Sequence, residues 1–136
     1  QKTHGITLYQ NTGLRGIRGE AVTGYPSIRH LALPVYEEGK RNGYDSNRIR
    51  LQTLLSLMST VEDSNIAARK DLNTLYSVQQ WAKQFLKNGG AYQKNAIEKL
   101  QQMDTIFSRD NISAGGCADL LAVTIFLSDL KELAGV

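Results

Sequence analysis

Cysteine is almost missing from this chain. Cys117 is its one copy, so no internal disulfide can form, which fits a reducing compartment and predicts a cytoplasmic protein. Long apolar runs are missing too. The longest, from Cys117 to Leu127, is well short of the ~20 residues that a membrane-spanning helix needs. The first ten residues, "QKTHGITLYQ", contain no apolar signal-peptide core. They also contain no initiator Met, which predicts a piece of something longer. His4 and His30 have no Cys or His partner at ligand spacing, so a zinc site is not expected. Strict apolar/polar alternation is scarce, and no sheet is predicted.

What is present is enough for one domain with one core: 136 residues, 41% of them apolar. The net charge of +3 is unevenly spread. Residues 1–50 hold 8 Lys/Arg and 4 Asp/Glu, and residues 51–136 hold 8 and 9. The excess positive charge is therefore N-terminal, which suits an anionic ligand but is too small to point to DNA or a membrane surface.

Gly5, Gly13, Gly16, Gly19 and Gly24, with Pro26 behind them, predict a loop-rich arm over 1–26. The rest, 27–136, reads as about five helices in a compact bundle, so the class is all-α. A first helix starts at a Ser27 cap and ends at Gly43, kinked or split by Pro34. Asp45 or Ser46 caps a second, with Leu51, Leu54, Leu55 and Met58 on one face. A third runs from about Asn65 or Asp71 to Lys87. Its stripe is Leu72, Leu75, Tyr76, Ala82, Phe85 and Leu86, and "KNGG" ends it. A fourth covers about Ala91 to Ser108. The fifth starts near Ala114 and ends near Leu133. Trp81, Phe85 and Tyr76 are expected in the core.

Three stretches carry chemistry. In "NISAGGCADLLAVTIFL" (Asn111 to Leu127), Ser113 can cap the first turn, and Gly115 and Gly116 let another group approach the backbone. A helix N-terminus offers free N–H donors to a phosphate. Asp119 either complements the helix dipole or binds Mg²⁺ or a substrate hydroxyl. The helix beyond it is apolar on nearly every face, which predicts burial on all sides. Cys117 has no obvious base and reads as a small buried apolar group. In "GLRGIRGEAVTGYP" (Gly13 to Pro26), Arg15 and Arg18 stand beside Glu20. Guanidinium forks hold phosphate oxygens in pairs, although a solvated loop with an ion pair would look the same. In "LMSTVEDSNIAARKD", Glu62 and Asp63 sit at a helix boundary. They cap the next helix by default, or hold a divalent cation.

With those stretches in order, the chain resembles the C-terminal half of the triphosphoribosyl-dephospho-CoA synthases, the ATP:dephospho-CoA triphosphoribosyl transferases. The residues that carry the resemblance are "GIRGEAVTGYPSIRHLALP" (Gly16 to Pro34), "LMSTVEDSNIAAR" (Leu57 to Arg69) and the Asn111–Leu127 stretch. The resemblance implies an all-α enzyme. In its reaction the 2′-hydroxyl of dephospho-CoA attacks C1′ of the ATP ribose and adenine leaves, giving the prosthetic-group precursor of citrate lyase or malonate decarboxylase. It implies catalytic roles for Asp63, Asp119 and Glu20, with Asp63 and Asp119 as Mg²⁺ or ribose ligands. Arg15, Arg18, Arg29, Asn65, Arg69, Ser113, Gly115 and Gly116 would hold ATP and dephospho-CoA. The expected partners are these nucleotides and the N-terminal half of the enzyme, on the same or a separate chain. A homo-oligomer is compatible; nucleic acid and membrane are not expected. The family commonly reads Asp-Thr-Asn with a nearby Arg-Gly-Gly turn, where this chain has Asp63-Ser64-Asn65 and Arg69-Lys70-Asp71. Ala114 stands where proline is usual. A competing reading is a non-catalytic helical module that binds nucleotide or CoA. A third is a small basic nucleic-acid binder, which would show steep salt dependence.

Overall fold

The computed structural model describes residues 25–135. The predicted arm, with Arg15, Arg18 and Glu20, lies outside them up to residue 24. The described part is helical, with no strand among the described residues. A π-helical turn, Ile28–Ala32, runs straight into α1, Leu33–Arg41. Then follow α2, Ser46–Thr60; α3, Ser64–Arg69; α4, Leu72–Lys87; a 3-10 turn, Gly90–Tyr92; α5, Ala96–Arg109; and α6, Gly115–Ala134. Among these residues no helix is long and apolar enough to cross a membrane.

Local chemistry accounts for most boundaries. Asp45 caps α2 by accepting from the Arg48 N–H at 3.1 Å. Asp71 caps α4 by accepting from the Thr74 N–H at 2.7 Å, a bond that also holds its carboxyl below the usual carboxylate range. The third expected helix is two, because both of its candidate starts are used: α3 begins after Asp63 and α4 after Asp71. Ser27 is not a cap. It already has helical dihedrals (φ −66°, ψ −30°) and makes no side-chain cap bond. Pro34 does not split the helical run, in which Ala32 and Leu33 keep helical dihedrals; the π-turn directly before it is the local distortion that a missing N–H inside a helix calls for. The fourth expected helix loses its first residues to the 3-10 turn, and Asn95, at φ +60°, makes the break.

The centre of the bundle is α2, which packs against the π-turn, α1, α4, α6 and the 3-10 turn. Leu55, Leu57 and Met58 are buried, and so are Thr53, Ser56 and Ser59. Each of these hydroxyls donates to a carbonyl of the preceding turn, at Ile49, Gln52 and Ser56, over 2.6 to 2.9 Å. Self-satisfied hydroxyls can enter a core without the cost of an unpaired polar group. On α4 the buried stripe is Leu75, Val78, Ala82 and Phe85. Tyr76 and Leu72, expected inside, are 50% and 37% exposed.

The largest departure is α6, which is buried on one side only. Gly116, Cys117, Leu120, Thr124 and Ser128 face inward. Phe126 is 61% exposed and Leu133 87%. Two ion pairs tie this helix to α1: Lys40 to Glu132, and Lys131 to Glu37 at 3.2 Å.

Candidate functional site

The connector between α2 and α3 positions the site. Val61 and Asp63 adopt extended dihedrals, so the chain leaves the core of α2 and turns back at once into α3. Val61 is buried, and its carbonyl accepts from the Asp63 N–H at 3.0 Å and from the Gln79 side chain of α4 at 3.1 Å. Asp63 therefore has little freedom, and it is 1% exposed.

Its carboxylate ends two helices at once. Oδ1 accepts from the Asn65 N–H at 2.9 Å, which caps α3, and from the Gly116 N–H at 3.3 Å. Oδ2 accepts from the Cys117 N–H at 3.0 Å. Those last two donors belong to the first turn of α6, whose N-cap residue, Ala114, supplies no side-chain bond. The free N–H groups expected to meet an external anion thus meet the chain's own carboxylate. The positive ends of two helix dipoles and three N–H groups converge on one buried charge, which is how such a charge is tolerated.

The two glycines have a geometric reason. A Cβ on Gly116 would lie 3.0 Å from Asp63 Oδ1, and one on Gly115 would lie 2.6 Å from the Asn65 side-chain nitrogen. At Gly116 the crowding atoms belong to a carboxylate held in place by three N–H groups, so a Cβ there is resisted, whereas at Gly115 the exposed Asn65 side chain can turn aside. Ser113, the expected cap, is exposed, and its Oγ lies 3.8 Å from the same Gly115 position. A cap from fifty residues away has replaced the local one.

Cys117 is fully buried beside Asp63. Burial, the neighbouring charge and a hydrogen bond with Asp63 all push its thiol up, so it is held protonated. That agrees with a packing role and excludes a ready nucleophile.

The structure thus gathers Asp63, Asn65, Ser113, Gly115 and Gly116 at one junction. Asp119 is exposed on α6, four residues beyond Gly115 and so one turn along the same face. Arg69 is exposed in the last turn of α3, and Arg29 is exposed in the π-turn, which packs against α6. Among the described residues no three His, Cys, Asp or Glu side chains cluster as a metal site would require. Asp63 fits Mg²⁺ poorly, since three N–H donors and two positive helix ends already surround it.

Sequence reasoning did not pick out a second feature, a cleft of about 630 Å³ between α2, α4 and α5. Leu51 and Met58 line it from α2, Trp81 from α4, and Leu100, Met103 and Phe107 from α5. It reaches Ser113 and Ala114, immediately before α6. The signal was present in the apolar spacing of α5, which reads equally well as a core stripe. Only Ala96 of that helix is in fact buried.

Comparison with known proteins shows the family. The model of the CitG family, described as ATP:dephospho-CoA triphosphoribosyl transferase, matches residues 1–136. A 2-(5''-triphosphoribosyl)-3'-dephosphocoenzyme-A synthase of Escherichia fergusonii is 46% identical over 127 residues, 93% of this chain and 42% of the relative. A protein of Salmonella gallinarum, named as a probable synthase of the same kind, is 44% identical over 126 residues, again 93% and 42%. One of Photobacterium profundum, named likewise, is 37% identical over 133 residues, 98% and 42%. The chain therefore spans less than half the length of these relatives. No solved structure matches. The chain belongs to the ATP:dephospho-CoA triphosphoribosyl transferase family.

Proposed function

From that membership we propose that the chain is the C-terminal portion of an enzyme that transfers the 5-triphosphoribosyl group of ATP to the 2′-hydroxyl of 3′-dephospho-CoA. The bond from C1′ of the ATP ribose to adenine breaks, and a bond from C1′ to the attacking oxygen forms. The hydroxyl proton passes to a base, and adenine leaves with a proton. The observation that carries this reading is the family match along all 136 residues, supported by the printed names of the relatives.

Roles divide according to burial. Asp63 acts as a positioning residue, because both of its oxygens are engaged by backbone N–H groups. Asp119, exposed one turn from the junction, is the acid free to stabilise charge developing on the sugar or to take the hydroxyl proton. Glu20 either orients Arg18 or acts on a hydroxyl. Asn65 and Ser113, both exposed at the junction, bind ribose hydroxyls. Arg15, Arg18, Arg29 and Arg69 hold phosphates. Asp119 is the exposed acid that would help to hold Mg²⁺, since such ions are held by one or two carboxylates plus phosphate; the ion would supply neutralisation of phosphate charge.

The remaining portion of the enzyme, on this or another chain, packs on the exposed row of α6 that includes Ala122, Phe126, Leu130 and Leu133. Two observations support that placement: the 42% coverage of the relatives, and a helix whose apolar side is only half covered. The lone buried cysteine supports a cytoplasmic location.

The test is adenine release from ATP, with the remaining portion supplied. Release that requires dephospho-CoA is expected, and no adenine with both portions present sinks the reading. A second reading, a module that binds nucleotide or CoA without turnover, is favoured by the partial length. Thermal stabilisation by ATP or dephospho-CoA with no product formed would select it.

A further inference from the structure

We propose that the cleft between α2, α4 and α5 holds the uncharged pantetheine arm of dephospho-CoA; this rests on the synthase reading above. Charge decides first what the cleft can take. No Lys, Arg or His lines it, and its one ionisable side chain is Asp104. A polyphosphate is repelled there, and an uncharged segment is not. Position comes next. One end of the cleft is Ser113 and Ala114, which lead directly into Gly115 and the junction with Asp63 and Asn65. A ligand with its ribose end near Asp119 would run its tail away along this cleft.

The walls favour an arm over a base. Trp81 already packs tilted on Phe85, with centroids 5.4 Å apart, and edge-on to Phe107 at 5.6 Å. What remains is largely Leu51, Leu54, Ile97 and Leu100 with the thioethers of Met58 and Met103. Such walls adapt to a flexible chain and offer no flat slot. Asn47 and Gln101 stand exposed at the edge, matching the amide groups of the arm. The volume lies within the range of about 300–1,000 Å³ usual for small-molecule sites. Of the two substrates, only dephospho-CoA has a long uncharged segment.

Trp81 is the only tryptophan in the chain and lines the cleft; because it also borders a second pocket beside Asp71 and Ser77, its emission is read together with a variant at Ser108, which lines the first alone. The 136-residue protein is titrated with pantetheine, adenosine and dephospho-CoA, and heat of binding is measured in parallel. Saturable change with pantetheine and dephospho-CoA, and none with adenosine, is expected. Ser108→Phe, at an exposed position on the edge, should weaken pantetheine at least tenfold with unchanged circular dichroism. Dephospho-CoA binding with unmoved Trp81 emission and no response to pantetheine overturns the cleft and leaves the synthase reading standing. A response to adenosine in place of pantetheine, or pantetheine binding unaltered in Ser108→Phe, also overturns it. Pantetheine binding without dephospho-CoA binding overturns the assignment of the cleft to dephospho-CoA. Silence from both ligands overturns the cleft; the synthase reading is decided by adenine release with both portions present.

Discussion

Helices α2 and α6 exchange the roles that their compositions suggest. α6 is apolar nearly all round and has one side uncovered, with Phe126 and Leu133 well exposed. α2 carries Thr53, Ser56 and Ser59 among its leucines, and it is the one at the centre. Hydrophobicity therefore ranks what a helix gains from burial without saying which helix the topology surrounds. α2 pays little for its position because its hydroxyls bond within the helix. α6 is anchored by polar groups instead: Asp63 at its N-terminus, and Lys40 with Glu132 near its C-terminus.

The strongest way to break this contrast is to remove that anchor. Asp63→Ala orphans the buried Gly116 and Cys117 N–H groups and uncaps α3. At roughly 1–3 kcal/mol for each buried unsatisfied group, the loss is about 2–6 kcal/mol by urea denaturation. Asp63→Asn keeps one acceptor oxygen and should cost clearly less. Next comes Leu57→Ala in α2, at a fully buried side chain, with an expected loss of about 2–5 kcal/mol. If Leu57→Ala cost no more than an exposed substitution, α2 would not be the core.

Gly116→Ala should follow, with a smaller loss of about 1–3 kcal/mol from overpacking against the buried, hydrogen-bonded Asp63 carboxylate. Gly135→Ala, where a Cβ meets nothing but the backbone is left-handed (φ +74°), separates steric crowding from backbone strain. The smallest effect on stability is expected at Phe126→Asp, within about 0.5 kcal/mol, as at other exposed positions. The same change should abolish association with the remaining portion of the enzyme, read by co-purification of the two portions. Undiminished association would remove α6 as the docking face.

Much of this was legible in advance. The helical class followed from apolar spacing; Asp45 was one of two candidate caps, and Asp71 one of two candidate starts. The start of α6 was placed within a residue. The diglycine was recognised as a place of close approach, but what approaches it could not be read locally. Asp63 lies 53 residues from Gly116, and nothing near Ser113 announces that a distant carboxylate will replace it as the cap. The α5 stripe was legible as apolar. That it borders a cleft depends on how far α5 stands from α2 and α4.

Local preferences, set by periods of a few residues and by capping chemistry, are properties of the chain alone, and the sequence by itself determined the helical class, several of the helix starts and which family the chain resembles. Only the tertiary structure decided that Asp63 would close two helices, that α2 would be enclosed and α6 left half bare, and that a cleft would stand beside Trp81. Those outcomes depend on distances between elements far apart in the chain, where a carboxylate, a missing Cβ and a helix end must meet within about 3 Å for a hydrogen bond to form.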